Sequence, residues 1–162
     1  MEKNNWLSYI PSSFKLAITA YVILSCFGFG IAALMSYQRY SFNHEKTVQF
    51  YLGDPAEGEM AFKKPYAQLV EVTHVHAYTM PLVFFVMWVL LQGTSVSAAL
   101  KKFLVLGGTF SVLTYNVAPY VVRNGWVHGV WLFSVGGVGL FLFYFWPVIL
   151  VLCELGKKGD RR

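Results

Sequence analysis

The sequence predicts an all-α protein, a four-helix transmembrane bundle with both termini on the cytoplasmic side. Three observations predict it. Hydrophobic residues make up 56% of the 162-residue chain and charged residues only 13%, against roughly 25% charged in a soluble domain. Four stretches, 16–38, 72–100, 103–122 and 124–153, contain no Asp, Glu, Lys or Arg. Each is long enough for the roughly 20 residues that a spanning helix needs. The charged residues sit at the ends of these stretches rather than on one basic patch, so the net charge of +5 does not point to nucleic acid.

Lipid offers the backbone no hydrogen-bond partners, so each stretch must be helical. The expected helices run over about 14–37, 67–92, 101–121 and 126–154, in a single integral membrane domain covering 1–162. The first has an apolar core too long for a signal peptide and no small-x-small cleavage site, and reads as a retained anchor. An outer loop of 38–66 follows. Its Gly-Asp-Pro-Ala-Glu-Gly-Glu run at 53–59 is turn chemistry, and a loop this long is usually functional or flexible. Pro65 then suits the first turn of the second helix. Pro119 and Pro147 are expected kinks. Tyr66, Tyr120, Trp126 and Trp131 look like an aromatic belt. The last residues, 160–162, read as a frayed polar end.

Orientation follows from Lys and Arg. Lys3, Lys15, Lys101, Lys102, Lys157, Lys158, Arg161 and Arg162 share one side, and Arg39, Lys46, Lys63, Lys64 and Arg123 the other. Eight against five places the termini in the cytoplasm. The two cysteines, Cys26 and Cys153, form no CxxC or CxxCH motif, which removes support for covalent haem attachment and zinc fingers.

The polar exception is Glu-Val-Thr-His-Val-His-Ala-Tyr-Thr-Met-Pro, residues 71–81. His74 and His76 fall roughly 10–14 Å along the second helix at about 1.5 Å per residue. His128 falls near the same end of the fourth helix, and His44 in the loop can fold back toward them. Ionisable groups at such depth are costly and are candidates for function, although histidines near the interface also serve simply to bond neighbouring helices. Residues two apart on a helix point about 200° apart, so His74 and His76 cannot face one point. Two half-sites result, Glu71 with His74 and His76 with Met80. Pro81 frees the Ala77 carbonyl and loosens the helix beside them.

Three chemistries suit this set. The first is b-type haem, held by axial side chains on facing helices with positive charge near its propionates. His76 and His128 are the preferred ligands and His74 the substitute, with Arg39, Arg123, Lys63 and Lys64 at the same end. Gly28, Gly30, Gly125, Gly129 and Gly136 would let helices or a flat macrocycle approach, and plain helix packing is the more ordinary explanation of them. The second is a copper or zinc site drawing on His74, His76, His128, Met80 and Glu71. A di-iron site is disfavoured because Glu71-x-x-His74 has no second copy. The third is a proton path through Glu71, Thr73, His74, Tyr78, Thr79 and Asn116, which the apolar cytoplasmic halves do not continue. A half-channel to a quinone remains compatible with this pattern. Asn116, in mid-helix, either bonds across the bundle or faces a ligand.

The segment from Tyr51 to Pro81, centred on Val-Glu-Val-Thr-His-Val-His-Ala-Tyr-Thr-Met-Pro, resembles a family of small bacterial membrane proteins with four predicted spans. The likeness covers roughly 48–90. It supplies no activity and implies only that Thr73, His74, His76, Met80 and Pro81 act as a unit in a bacterial inner membrane. The architecture is also similar to membrane cytochrome b subunits, an analogy of fold alone. The resulting expectation is a multi-pass haem b protein carrying electrons between the quinone pool and an outer partner, such as a periplasmic cytochrome or another membrane subunit. Glu71 would orient a histidine or handle a proton. An electron carrier needs no substrate pocket, so it is not expected to be an enzyme by itself, though it suits a subunit of an oxidoreductase complex. The alternative is a copper- or zinc-binding membrane protein, or a structural or assembly subunit.

Overall fold

A computed structural model describes residues 5–53 and 62–157. The turn residues 54–59, together with Lys3, Lys158, Arg161, Arg162 and the tail, lie outside the described residues. Every regular element described is helical: α1 (Ser12–Tyr40), α2 (His44–Leu52), α3 (Tyr66–Gln92), α4 (Ala98–Arg123) and α5 (Val130–Leu155). Short 3-10 turns, Trp6–Ser8 and Val127–Gly129, precede α1 and α5. Four helices are long and apolar enough to cross a membrane, as expected.

α1 and α4 each run a few residues past their expected limits at both ends, and two further features differ from expectation. The fourth span, expected as one helix from 126, opens with a 3-10 turn, and its α-helix starts at Val130. The stretch read as a loop contains α2. Asn43 caps it, its side chain accepting from the Lys46 N–H at 3.1 Å, and Glu45 lies in the first turn, where a negative charge suits the helix dipole. The chain reaches α2 through Ser41 and Phe42, both with positive φ (51° and 53°), a tight reversal that non-glycine residues adopt only at a cost.

The centre of the fold is the α4–α5 pair. A Cβ on Gly136 would lie 2.8 Å from the Tyr115 backbone nitrogen, and one on Gly139 would run into the Ser111 side chain. Helices in lipid gain no hydrophobic drive from meeting each other, so close backbone approach over small residues supplies the contact. α3 packs across this pair through Phe84 and Met87, both fully buried. α1 is peripheral, and among its described residues Val22 is the one buried hydrophobic side chain. Two hydroxyl bonds tie α1 to the bundle: Tyr21 Oη donates to the Val83 carbonyl at 2.9 Å, and Tyr144 Oη donates to Ser25 Oγ. Phe29 stacks on Tyr144 with centroids 4.2 Å apart. Among the described residues, nothing lies within 4 Å of a Cβ built on Gly28 or Gly30, so these glycines bring no described helix closer.

The bundle has two ends. At the terminus end, Leu7 is buried and donates its N–H to the Gly93 carbonyl. Lys15 Nζ donates to the Leu155 carbonyl at 2.9 Å. At the loop end, α2 seals a small second core in which Tyr51, Leu69, Val122 and Val130 are buried. Tyr51 stacks on Phe133 there.

Candidate cofactor site on the third helix

α3 presents two faces. Leu69, Thr73, His76, Met80, Val83, Phe84 and Met87 are buried or half-buried, while Glu71, His74, Val75, Tyr78, Leu82 and Phe85 are exposed. Spacings of three and four residues along the first set are those of one helix stripe. The divergence of the two imidazoles therefore has a direction. His76 and Met80 lie on the bundle side, and Glu71 and His74 on the opposite side.

The orientation of His76 is fixed locally. Its Nδ1 lies 2.8 Å from the Val72 carbonyl oxygen, one turn back. A carbonyl only accepts, so Nδ1 carries a proton, and in the neutral ring Nε2 keeps its lone pair. This is the tautomer of a metal-binding histidine whose other nitrogen is held by a backbone carbonyl. One turn further on, Met80 Sδ lies 3.7 Å from Asn116 Nδ2 of α4. Asn116 also donates to the Val112 carbonyl at 2.8 Å. Of the two roles open to Asn116 in the sequence, reaching across the bundle is the one seen.

The remaining candidates are dispersed. Among the described residues, His74 meets the Tyr78 ring, at 5.1 Å edge to face. His128 is exposed on the turn before α5. Among the described residues, no three His, Cys, Asp or Glu side chains gather in a group that could hold a metal ion. The structure thus brings Met80 and Asn116 together, with His76 one turn away on the same face of α3 and Glu71 and His74 on the exposed face.

Basic groups do collect at the loop end. Arg123 donates from Nε to the Lys64 carbonyl at 2.8 Å and lies 5.4 Å from the Tyr66 ring. Lys64 Nζ sits 4.0 Å over the Phe50 ring, a cation–π contact. Burial, reinforced by the Arg39 charge, lowers the Lys64 pKa below its ordinary value.

One polar contact escaped sequence reasoning. His44 folds back onto α5. Its Nε2 lies 2.8 Å from Ser134 Oγ and its ring meets Trp131 edge to face at 4.2 Å. The Asn43 cap was the available signal, since a capped α2 carries its first residue against the bundle.

A family model described as a transmembrane helical domain matches residues 41–162. The chain belongs to the Aq_1264_TM family. The Aq_1264_TM match takes in α2 to α5, and with them Glu71, His74, His76, Met80, Arg123 and His128, but leaves α1 and Arg39 outside. No curated protein and no solved structure matches the chain. Family membership speaks for a membrane helical domain and nothing finer.

Proposed function

We propose that this Aq_1264_TM protein is a membrane-embedded haem b carrier that passes electrons between the quinone pool and a partner at its loop end, alone or within an oxidoreductase complex. One observation carries the reading. His76 faces the bundle with Nδ1 bonded to the Val72 carbonyl, which leaves Nε2 as the ligating nitrogen. Arg39, Lys64 and Arg123 supply positive charge at that end for propionates. The residues fit one axial position. His128, exposed on the turn before α5, is assigned the second. Glu71 and His74 face away and are left out of the ligand set. The eight-against-five count of basic residues supports the loop end being periplasmic, in a bacterial inner membrane.

A second reading rests on Met80, half-buried four residues from His76 on the same face. Imidazole with thioether is a copper donor set. The absorption spectrum of the purified protein separates the two. The haem reading expects a dithionite-reduced b-type band that His76→Ala abolishes and His74→Ala preserves. A colourless protein carrying stoichiometric copper, lost in both His76→Ala and Met80→Ala, supports the second. A colourless, metal-free protein sinks both and leaves a structural or assembly subunit.

A further inference from the structure

Three cations gather at the loop end with no described anion beside them. Arg39 stands in the last turn of α1, Arg123 closes α4, and Lys64 lies two residues before α3. Arg123 Nε donates to the Lys64 carbonyl at 2.8 Å, and its guanidinium lies 5.4 Å from the Tyr66 ring. The Lys64 ammonium sits 4.0 Å over the Phe50 ring and 5.5 Å from the Tyr51 ring. Burial first, and then the Arg39 charge, hold the Lys64 pKa below its ordinary value, so like charges crowd here. Lys64 and Arg123 are half-buried. Among the described residues, no hydrogen-bond acceptor meets the Lys64 ammonium, the Arg39 guanidinium or the two terminal nitrogens of Arg123. The ion pair of Glu154 with Lys157 lies at the other end of the bundle.

Level matters as much as charge. α3 and α4 have 27 and 26 residues, about 40 Å at 1.5 Å each, against a hydrocarbon core of roughly 30 Å. Centred helices thus reach about 5 Å beyond the hydrocarbon at each end, into the headgroup layer. Lys64 and Arg123 stand at or beyond those ends, and Arg39 one residue before the end of α1. Tyr66 and Tyr120, whose rings meet edge to face at 5.8 Å, mark the same boundary. A half-buried cation with unused donors favours an acceptor-rich anion. The lipid phosphodiester is the anion of this layer, and a guanidinium fork matches its oxygens in pairs.

We propose that Arg39, Lys64 and Arg123 form a binding site for the phosphate of one anionic phospholipid of the phosphatidylglycerol type. Arg123 is set by its bond to the Lys64 carbonyl, which leaves its terminal nitrogens to hold two phosphate oxygens. Lys64, steadied by the Phe50 ring, meets the same anion as a point charge. Arg39 brings a second fork from α1. The phosphate offsets the repulsion among the three cations, and so clasps the peripheral α1 to the rest of the bundle. At the terminus end, by contrast, Lys15, Lys101 and Lys157 direct their protons to carbonyls and to Glu154. The inference goes beyond the haem reading, which asks of these cations only their charge, and it holds with or without a cofactor.

Native mass spectrometry of the detergent-purified protein, titrated with dioleoylphosphatidylglycerol, tests the site. Wild type binds a first lipid, and dioleoylglycerol, with the same chains and no phosphate, binds about tenfold more weakly or less. Arg39→Gln, Lys64→Gln and Arg123→Gln each weaken the first binding about tenfold. Lys102→Gln, which removes an exposed charge at the terminus end, leaves it unchanged. Arg39 makes no described hydrogen bond or ion pair, so its variant reads the lipid rather than the fold, and circular dichroism checks the other two. Inorganic phosphate and glycerophosphate, added at the lipid's concentration, do not displace it. Dioleoylglycerol that binds as tightly as the phospholipid, an equal loss in Lys102→Gln, or Arg39→Gln that binds like wild type would overturn the proposal. So would a free phosphate that binds as tightly as the lipid. Lipid retention is read by mass and the cofactor by its absorption, so the failure of one reading leaves the other standing.

Discussion

Glu154, near the end of α5, and Ser95, in the turn between α3 and α4, are joined twice. Glu154 Oε2 accepts from the Ser95 backbone N–H at 3.0 Å and from its hydroxyl at 2.8 Å. The carboxylate is 2% exposed, and Lys157 Nζ completes the group at 2.8 Å from the same oxygen. This arrangement ties the α3–α4 turn to α5.

Removing the carboxylate should therefore loosen the terminus end. Glu154→Ala strands the Ser95 N–H and hydroxyl together, at a cost of about 2–4 kcal/mol. Glu154→Gln keeps an acceptor and should cost about 1–2 kcal/mol. Reversible unfolding in mixed micelles measures both, and equal losses would contradict the role given to the acceptor.

The glycines of α5 and α1 should behave oppositely. Gly136→Ala drives a methyl group into the Tyr115 backbone, which cannot swing aside as a side chain can. The α4–α5 seam must part, costing about 1–3 kcal/mol. Gly28→Ala meets open space and should leave stability unchanged or raise it by up to about 1 kcal/mol through helix propensity. Thermal unfolding of the two variants side by side checks the ordering.

His44→Ala should free α2 while leaving the spans in place. It removes the bond to Ser134 and the ring contact with Trp131, worth about 1 kcal/mol. Amide exchange should speed up over 44–52 and stay unchanged in α4 and α5. Uniform acceleration would mean that α2 is part of the cooperative core.

Lys64 lies outside the spans and should give the protein a signature at alkaline pH. Its folded-state pKa is lowered, first by burial and then by Arg39, so the unfolded chain holds that proton more tightly. Between the lowered value and the ordinary 10.5, the unfolded state binds more protons. Stability contributed by this site therefore rises with pH across that window. Below the window Lys64 is charged in both states, and the folded protein bears the cost of burying the charge. Unfolding curves of wild type and Lys64→Met, taken as a difference against pH, should show this rise in wild type alone.

The spans were legible because their signal is absence. A run without charge, of spanning length, is helical in lipid whatever surrounds it, and the expected limits fall within a few residues of those seen. α2 was harder to read, since it is short and is held by Tyr51 on Phe133 and His44 on Ser134, contacts between segments far apart in sequence. Helical spacing did separate His74 from His76, but it could not say which of them faces inward. In a helix apolar all round, the inward face is set by its neighbours, here α4 and α5, rather than by its own pattern. Asn116 illustrates the same limit, because its reach to Met80 depends on the depth at which α3 and α4 meet.

The glycine seam between α4 and α5 also bears on how the protein is made. α4 is the least apolar of the four spans, and two of its polar residues, Ser111 and Thr114, are buried. Ser111 lies against Gly139 of a helix synthesised later. A ribosome thus delivers the span least content in lipid before its partner exists. The last helix acts as the latch. Until it arrives, α4 is the segment a membrane quality-control protease would find, so truncation before Gly136 should shorten the life of the whole chain in the cell.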